Sequence, residues 1–127
     1  MSDWEVKLAF KIHGSGRIGA DGIGFWYKDS PDFSGDKAYG GPASWKGLLI
    51  ALDTFDNTNG RSSPKIIGMY NDGTKEYNAG DNGRALSVGS CGPNLRNQRY
   101  ELYVRYLSSQ KRVEVRYRPD GSSDEPT

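Results

Sequence analysis

From Trp4 to His13 apolar and polar residues alternate, with Trp4, Val6, Leu8, Phe10 and Ile12 in one phase and Glu5, Lys7, Lys11 and His13 in the other. A period of two sends each set to its own side of an extended chain, so the segment is predicted to be a half-buried antiparallel strand. The pattern returns near the end, where Tyr100, Leu102, Val104 and Tyr106 share a phase and Val113, Val115 and Tyr117 oppose Arg112, Glu114, Arg116 and Arg118. Ser108-Ser109-Gln110-Lys111 is the predicted hairpin turn between these two runs. Uninterrupted apolar runs lie at 23–27, 48–52 and 66–70, parted by Gly, Asn, Asp and Pro clusters, and Asn71-Asp72-Gly73 is predicted to be a tight turn. No stretch keeps a 3.6-residue apolar period long enough for more than a short helical turn. The predicted class is therefore all-β, with two sheets.

The totals narrow the function more than the fold. At 127 residues the chain suits one domain, able to bury roughly two thirds of its unfolded surface. Seventeen Lys and Arg against sixteen Asp and Glu leave a net charge of +1, which steers toward neither nucleic acid nor an anionic membrane. Arg112, Arg116 and Arg118 are interrupted by Glu114 and carry the phase of a solvated face, not of a nucleic-acid site. No apolar run approaches the roughly 18 residues of a membrane-spanning helix, and the start shows no basic region followed by an apolar one. Cys91 is the only cysteine and is expected to act as a small buried hydrophobe. The expected boundaries are a domain over 1–118 and a mobile tail over 119–127, rich in Pro, Gly, Ser and acids.

Candidate chemistry concentrates where apolar runs end. Asp53, Asp56 and Asn57 follow the run 48–52, and Asp81-Asn82 lies in a second Gly-containing loop. Hard oxygen donors from two loops suit calcium, which takes about 6 to 8 oxygens from carboxylates, amides, backbone carbonyls and water. The same residues also serve as plain strand terminators, because Asp and Asn hydrogen-bond their own turns, and spacing alone leaves both readings standing. Asp21 precedes the aromatic run 23–27, where a carboxylate can accept hydrogen bonds from two sugar hydroxyls while an aromatic ring covers the sugar's apolar face. Trp4 and Trp26 are expected in the core. The single His13 has no Ser or Cys near it in sequence, and Asp53 and Asp56 share one turn instead of facing each other, so no enzyme is expected.

Taken together, Trp4-Glu5-Val6, the run from Gly16 to Tyr27, Trp45-Lys46-Gly47, Asp53-Thr54-Phe55-Asp56-Asn57, Cys91 and Arg96-Asn97 resemble the L-type (leguminous-type) lectins of the early secretory pathway, cargo receptors of the ERGIC-53 and VIP36 type. The resemblance spans nearly the whole chain and implies a concanavalin-like (jelly-roll) antiparallel β-sandwich, incomplete at both ends. It implies calcium-dependent binding of high-mannose N-glycans on glycoprotein cargo, on the lumenal side of endoplasmic reticulum and Golgi membranes. Membrane attachment would come only through segments absent from this chain, and oligomerisation of the full-length protein is left open. By residue, it implies Asp21 and Asn57 as sugar contacts. Asp53, the Phe55 carbonyl and Asn57 become calcium ligands, with Asn82 or Asp81 completing the set. A cis peptide between Ala20 and Asp21 is also implied.

The departures from the family pattern are specific. Ala79 and Asn82 stand where such lectins carry a His and an Asp, and Thr58, Ser62 and Ser63 stand where relatives offer acids and amides for a second calcium. No second cysteine is present for Cys91, and the family domain is about twice as long, so the chain is expected to be an internal or truncated piece. The alternative function is a sandwich protein-interaction domain that has lost sugar binding.

Overall fold

A computed structural model of the chain describes residues 2–14, 22–55, 65–92 and 95–127. The sequence-based expectations for Ala20, Asp21, Asp56, Asn57, Thr58, Ser62 and Ser63 lie outside these residues. The chain divides into two compact units, one formed by 1–14 with 95–127 and the other by 15–94. Each unit is built on one antiparallel sheet. Helical structure among the described residues amounts to three short 3-10 turns, Ala79–Asp81, Arg84–Leu86 and Ser108–Gln110, so none is long and apolar enough to cross a membrane.

The first unit holds β1 (Trp4–Lys11), β6 (Arg99–Leu107) and β7 (Arg112–Pro119) in the order β1-β6-β7. Its register pairs Leu8 with Leu102, and Val104 with Val115. Directly opposed residues share a face, so within β1 each residue of the predicted apolar phase meets an apolar or aromatic partner on β6. Trp4 stacks with Tyr106 at 6.0 Å and Phe10 with Tyr100 at 6.1 Å between ring centroids. Leu102 and Val104 are wholly buried. The hairpin runs through Ser108–Gln110 and the left-handed Lys111, as the sequence implied, and Asp3 Oδ1 accepts hydrogen bonds from Ser108 N at 2.7 Å and Ser108 Oγ at 2.6 Å. The first strand is shorter than its pattern, because beyond Lys11 only a single parallel bridge joins Ile12 to Arg96. After β7 the chain returns on itself, Thr127 and Tyr117 exchanging backbone hydrogen bonds of 2.8 and 2.9 Å.

The polar face of this sheet is organised by Glu101. Arg118 Nε donates to its Oε2 at 2.9 Å, Lys7 Nζ lies 3.4 Å from Oε1, and the Tyr103 hydroxyl also donates to Oε2. These partners, Tyr103 first and Arg118 next, hold the Glu101 carboxyl down from 4.5 to about 2. A carboxyl whose folded value is depressed stabilises the fold fully above its unfolded value, and that contribution is lost as pH falls toward the folded one. Glu101→Gln is therefore expected to flatten the decline in stability between pH 4.5 and about 2. Urea midpoints measured across that range check this, and an unchanged acid slope in the variant would refute it.

The second unit holds β2 (Gly22–Lys28), β3 (Lys46–Asp53), β4 (Lys65–Asp72) and β5 (Ser87–Cys91) in the order β2-β3-β4-β5. The central β3 is buried on both faces from Leu48 onward. That double burial is why its sequence is an unbroken apolar run without alternation. One face carries Leu49, Ala51, Ile67 and Met69, covered by Ala38, Trp45 and Leu86 and packed by Trp26, Tyr39 and Tyr77.

Two expectations are corrected here. Asn71 and Asp72 finish β4 instead of forming a turn. The turn starts at Gly73, and Asn71 stays in the strand because its buried amide serves that turn, with Oδ1 accepting from Gly73 N at 2.9 Å and Nδ2 donating to the Lys75 carbonyl at 2.8 Å. Cys91 is exposed at the end of the edge strand β5, not buried in a core, and partial desolvation raises its thiol above the usual range.

Candidate functional site

Asp53 is the last residue of β3, in register with Gly22 of β2 on one side and Lys65 of β4 on the other. Its carboxylate belongs to a residue only 2% exposed, and Oδ1 accepts a hydrogen bond from Phe55 N at 3.1 Å. This is an Asp-led turn, so the plain strand-terminating role is present. Strand termination does not account for the burial, because a turn aspartate is ordinarily solvated and a buried carboxylate needs charge compensation.

The approach of β2 is exceptionally close at this end. A Cβ on Gly22 would lie 2.1 Å from the Leu52 carbonyl oxygen and 3.2 Å from Tyr39 Cε1, and the backbone φ is +143°. Only glycine lets the chain pass here.

Asp81 and Asn82 arrive from the loop after β4. Asn78 Oδ1 accepts from Gly80 N at 2.9 Å and opens the 3-10 turn Ala79–Asp81, which Asn82 closes in the left-handed conformation, φ 58°. The two candidates differ in their duties. Asp81 Oδ1 accepts from Arg84 N at 3.0 Å and so links this turn to the next, Arg84–Leu86. Both residues line a cleft of about 180 Å³ with Lys65, Ile67, Arg84, Ser87 and Ser90. Because Lys65 is the cross-strand neighbour of Asp53, the fold brings Asp53 and the Asp81-Asn82 turn to the same end of the same sheet.

Two residues that sequence reasoning did not single out connect these loops. Tyr39 lies against Gly22, Tyr77 lies 2.8 Å from where a Cβ on Gly83 would sit, and the two rings are 5.8 Å apart between centroids. The tyrosine pair thus bridges the Asp53 end of the sheet and the Asn82-Gly83 turn. Tyr39 is held at φ 48° in the turn Ala38 to Gly41, a conformation rare for a bulky residue and invisible in composition.

For a divalent cation the chemistry of the donor set is the test. Among the described residues no group of three or more His, Cys, Asp and Glu is assembled. The described donors named by the sequence, Asp53, the Phe55 carbonyl and Asn82 or Asp81, nonetheless offer oxygen atoms of the hard kind. An all-oxygen set suits calcium better than the soft or nitrogen-rich sets of transition metals do.

The legume-like lectin family's profile matches residues 1–124. The chain belongs to the legume-like lectin family. That family is one of lectins, which are not enzymes. ERGIC-53 of Mus musculus is 33% identical over 113 residues, covering 89% of this chain and 22% of that protein. The vesicular integral-membrane protein VIP36 of Homo sapiens is 32% identical over 119 residues, covering 91% of this chain and 33% of its own length. The crystal structure of the VIP36 exoplasmic/lumenal domain in its Ca2+/Man3GlcNAc-bound form matches with a TM-score of 0.86 at 30% identity, over 98% of this chain and 53% of that one. The fold of this lectin chain is accordingly the concanavalin-like all-β class, and the chain spans about half of the solved domain and a third or less of the curated relatives.

Proposed function

We propose that this lectin chain binds high-mannose N-glycans on glycoproteins in a calcium-dependent way, as the recognition part of an early secretory pathway cargo receptor acting on the lumenal side of endoplasmic reticulum and Golgi membranes. The observation that carries the reading is the buried Asp53 carboxylate, directly opposite Gly22 and at the same end of the sheet as the Asp81-Asn82 turn. Support also comes from the VIP36 domain, solved with Ca2+ together with Man, Man2 or Man3GlcNAc.

In this assignment Asp53, the Phe55 carbonyl and Asn57 hold the calcium, while Asp21 and Asn57 take the sugar. Asn82 or Asp81 completes the set, both lining the cleft beside Lys65. Calcium supplies the rigidity that holds a polar loop in one binding geometry. The protein residues do the reading: a fixed carboxylate at Asp21 accepts from sugar hydroxyls, and each such charge-assisted bond demands a particular hydroxyl orientation.

The test is a calorimetric calcium titration of the chain, followed by an oligomannose array with and without chelator. Calcium binding with a chelator-sensitive mannose signal is the expected result. A second reading, an interaction domain that has lost sugar binding, is favoured by Ala79 and Asn82, and a chain that folds while binding neither calcium nor glycan would move the assignment there.

A further inference from the structure

The cleft beside the Asp81-Asn82 turn carries more positive charge than binding a neutral sugar requires. Lys65 and Arg84 both line it, and among the described residues neither forms an ion pair. Of the lining residues Asp81 alone is acidic, and its Oδ1 already accepts from Arg84 N. The remaining polar lining consists of the hydroxyls of Ser87 and Ser90 and the amide of Asn82.

The two serines owe their common orientation to an irregularity. β4 and β5 pair Ile67 with Ser90 and Gly68 with Gly89, and the register then shifts so that Met69 faces Ser87. A bulge places an extra residue on one strand and turns its neighbours. Ser87 and Ser90, three residues apart and so out of phase in a regular strand, therefore share the face of Ile67, Met69 and Lys65, while Val88 is left 71% exposed.

We propose that this cleft is a subsite for a phosphate-class anion carried on a mannose-type glycan. The inference rests on the mannose reading of the adjoining site. Two cations from a strand and a turn, lining one cleft with two serine hydroxyls, supply donors suited to a tetrahedral oxyanion, arginine offering a planar fork and lysine a point charge. The link to a glycan comes from position. Lys65 is the ladder neighbour of Asp53, about one strand spacing of 4.8 Å away, and the Asp81-Asn82 turn belongs to both the cleft and the proposed calcium shell. A sugar held through the calcium shell that Asp53 anchors would lie at the end of the sheet where Lys65 and Arg84 line the cleft, and an anion carried on it would replace the water that otherwise solvates both cations.

The test is calorimetry on the full chain in calcium with three probes: inorganic phosphate, an oligomannose, and the same oligomannose bearing a mannose 6-phosphate monoester. The phosphorylated glycan is expected to bind about tenfold more tightly than the neutral one, with the advantage shrinking as salt is raised. Lys65→Gln combined with Arg84→Gln should erase that advantage and leave neutral oligomannose binding in place, whereas Lys65→Arg should keep it. Equal affinity for the two glycans, or a preference that survives the double substitution, overturns the subsite while leaving the lectin reading intact. Phosphate binding that depends on both cations, with neither glycan bound, overturns the glycan assignment and the lectin reading together.

Discussion

Asp53→Asn is expected to weaken calcium binding by at least about 100-fold and to abolish mannose retention with it, while the chain folds as before. The amide is isosteric and its oxygen can still accept the Phe55 N–H that closes the turn at 3.1 Å, so the local backbone keeps its anchor. What disappears is the carboxylate charge, in a residue 2% exposed where water compensates poorly for the loss of a cation's partner. In chelator the variant should melt no lower than the parent, because the isosteric amide keeps the turn and removes a charge whose burial costs free energy. Calorimetric titration and thermal melting with and without calcium separate the two effects. A variant that binds calcium like the parent would remove Asp53 from the metal shell.

Gly22→Ala is expected to cost about 3 to 5 kcal/mol of stability, since overpacking and a disfavoured backbone conformation act at one point. The new Cβ would meet the Leu52 carbonyl oxygen at 2.1 Å, and that oxygen belongs to the ladder partner strand β3. Backbone in a ladder cannot yield as a side-chain tip does, so β2 must separate from β3 at the end that holds Asp53. Against a typical total of about 5 to 15 kcal/mol this is a large fraction. Gly89→Ala is the matching control, because a Cβ there meets nothing within 4 Å and the effect should stay within about 0.5 kcal/mol. Urea denaturation of both variants gives the comparison, and similar midpoints would contradict the close approach.

The terminal strands were legible because apolar and polar residues alternate along β1, β6 and β7, and that period of two marks an extended chain whether or not a face is fully buried. β3 was legible for another reason, both faces being buried. β5 was not, since Ser87–Cys91 is exposed throughout and carries no face-specific pattern to read. Asn71 misled in a different way: Asn, Asp and Gly in succession favour a turn locally, yet the ladder with β3 extends to Asp72 and draws the amide inward. At the candidate site, Asp53 stood out as an acid ending an apolar run, but its burial and the tyrosine bridge of Tyr39 and Tyr77 depend on loops that meet only in the fold.

What the sequence determined by itself is whatever follows from side-chain period and chemistry: all-β structure, the phases of the outer strands, the hairpin at Ser108, and an oxygen-rich donor set without a nucleophile. The family resemblance, too, resided in contiguous motifs. Tertiary structure alone decided which distant residues became neighbours. Ladder hydrogen bonds set Lys65 opposite Asp53, the shift at Gly68 and Met69 turned Ser87 and Ser90 to one face, and the Asp81 carboxylate came to accept from Arg84 N. Strand register is fixed by backbone bonds between segments far apart in the chain, and a change of one residue in register reverses every side chain, so no local pattern could specify these contacts.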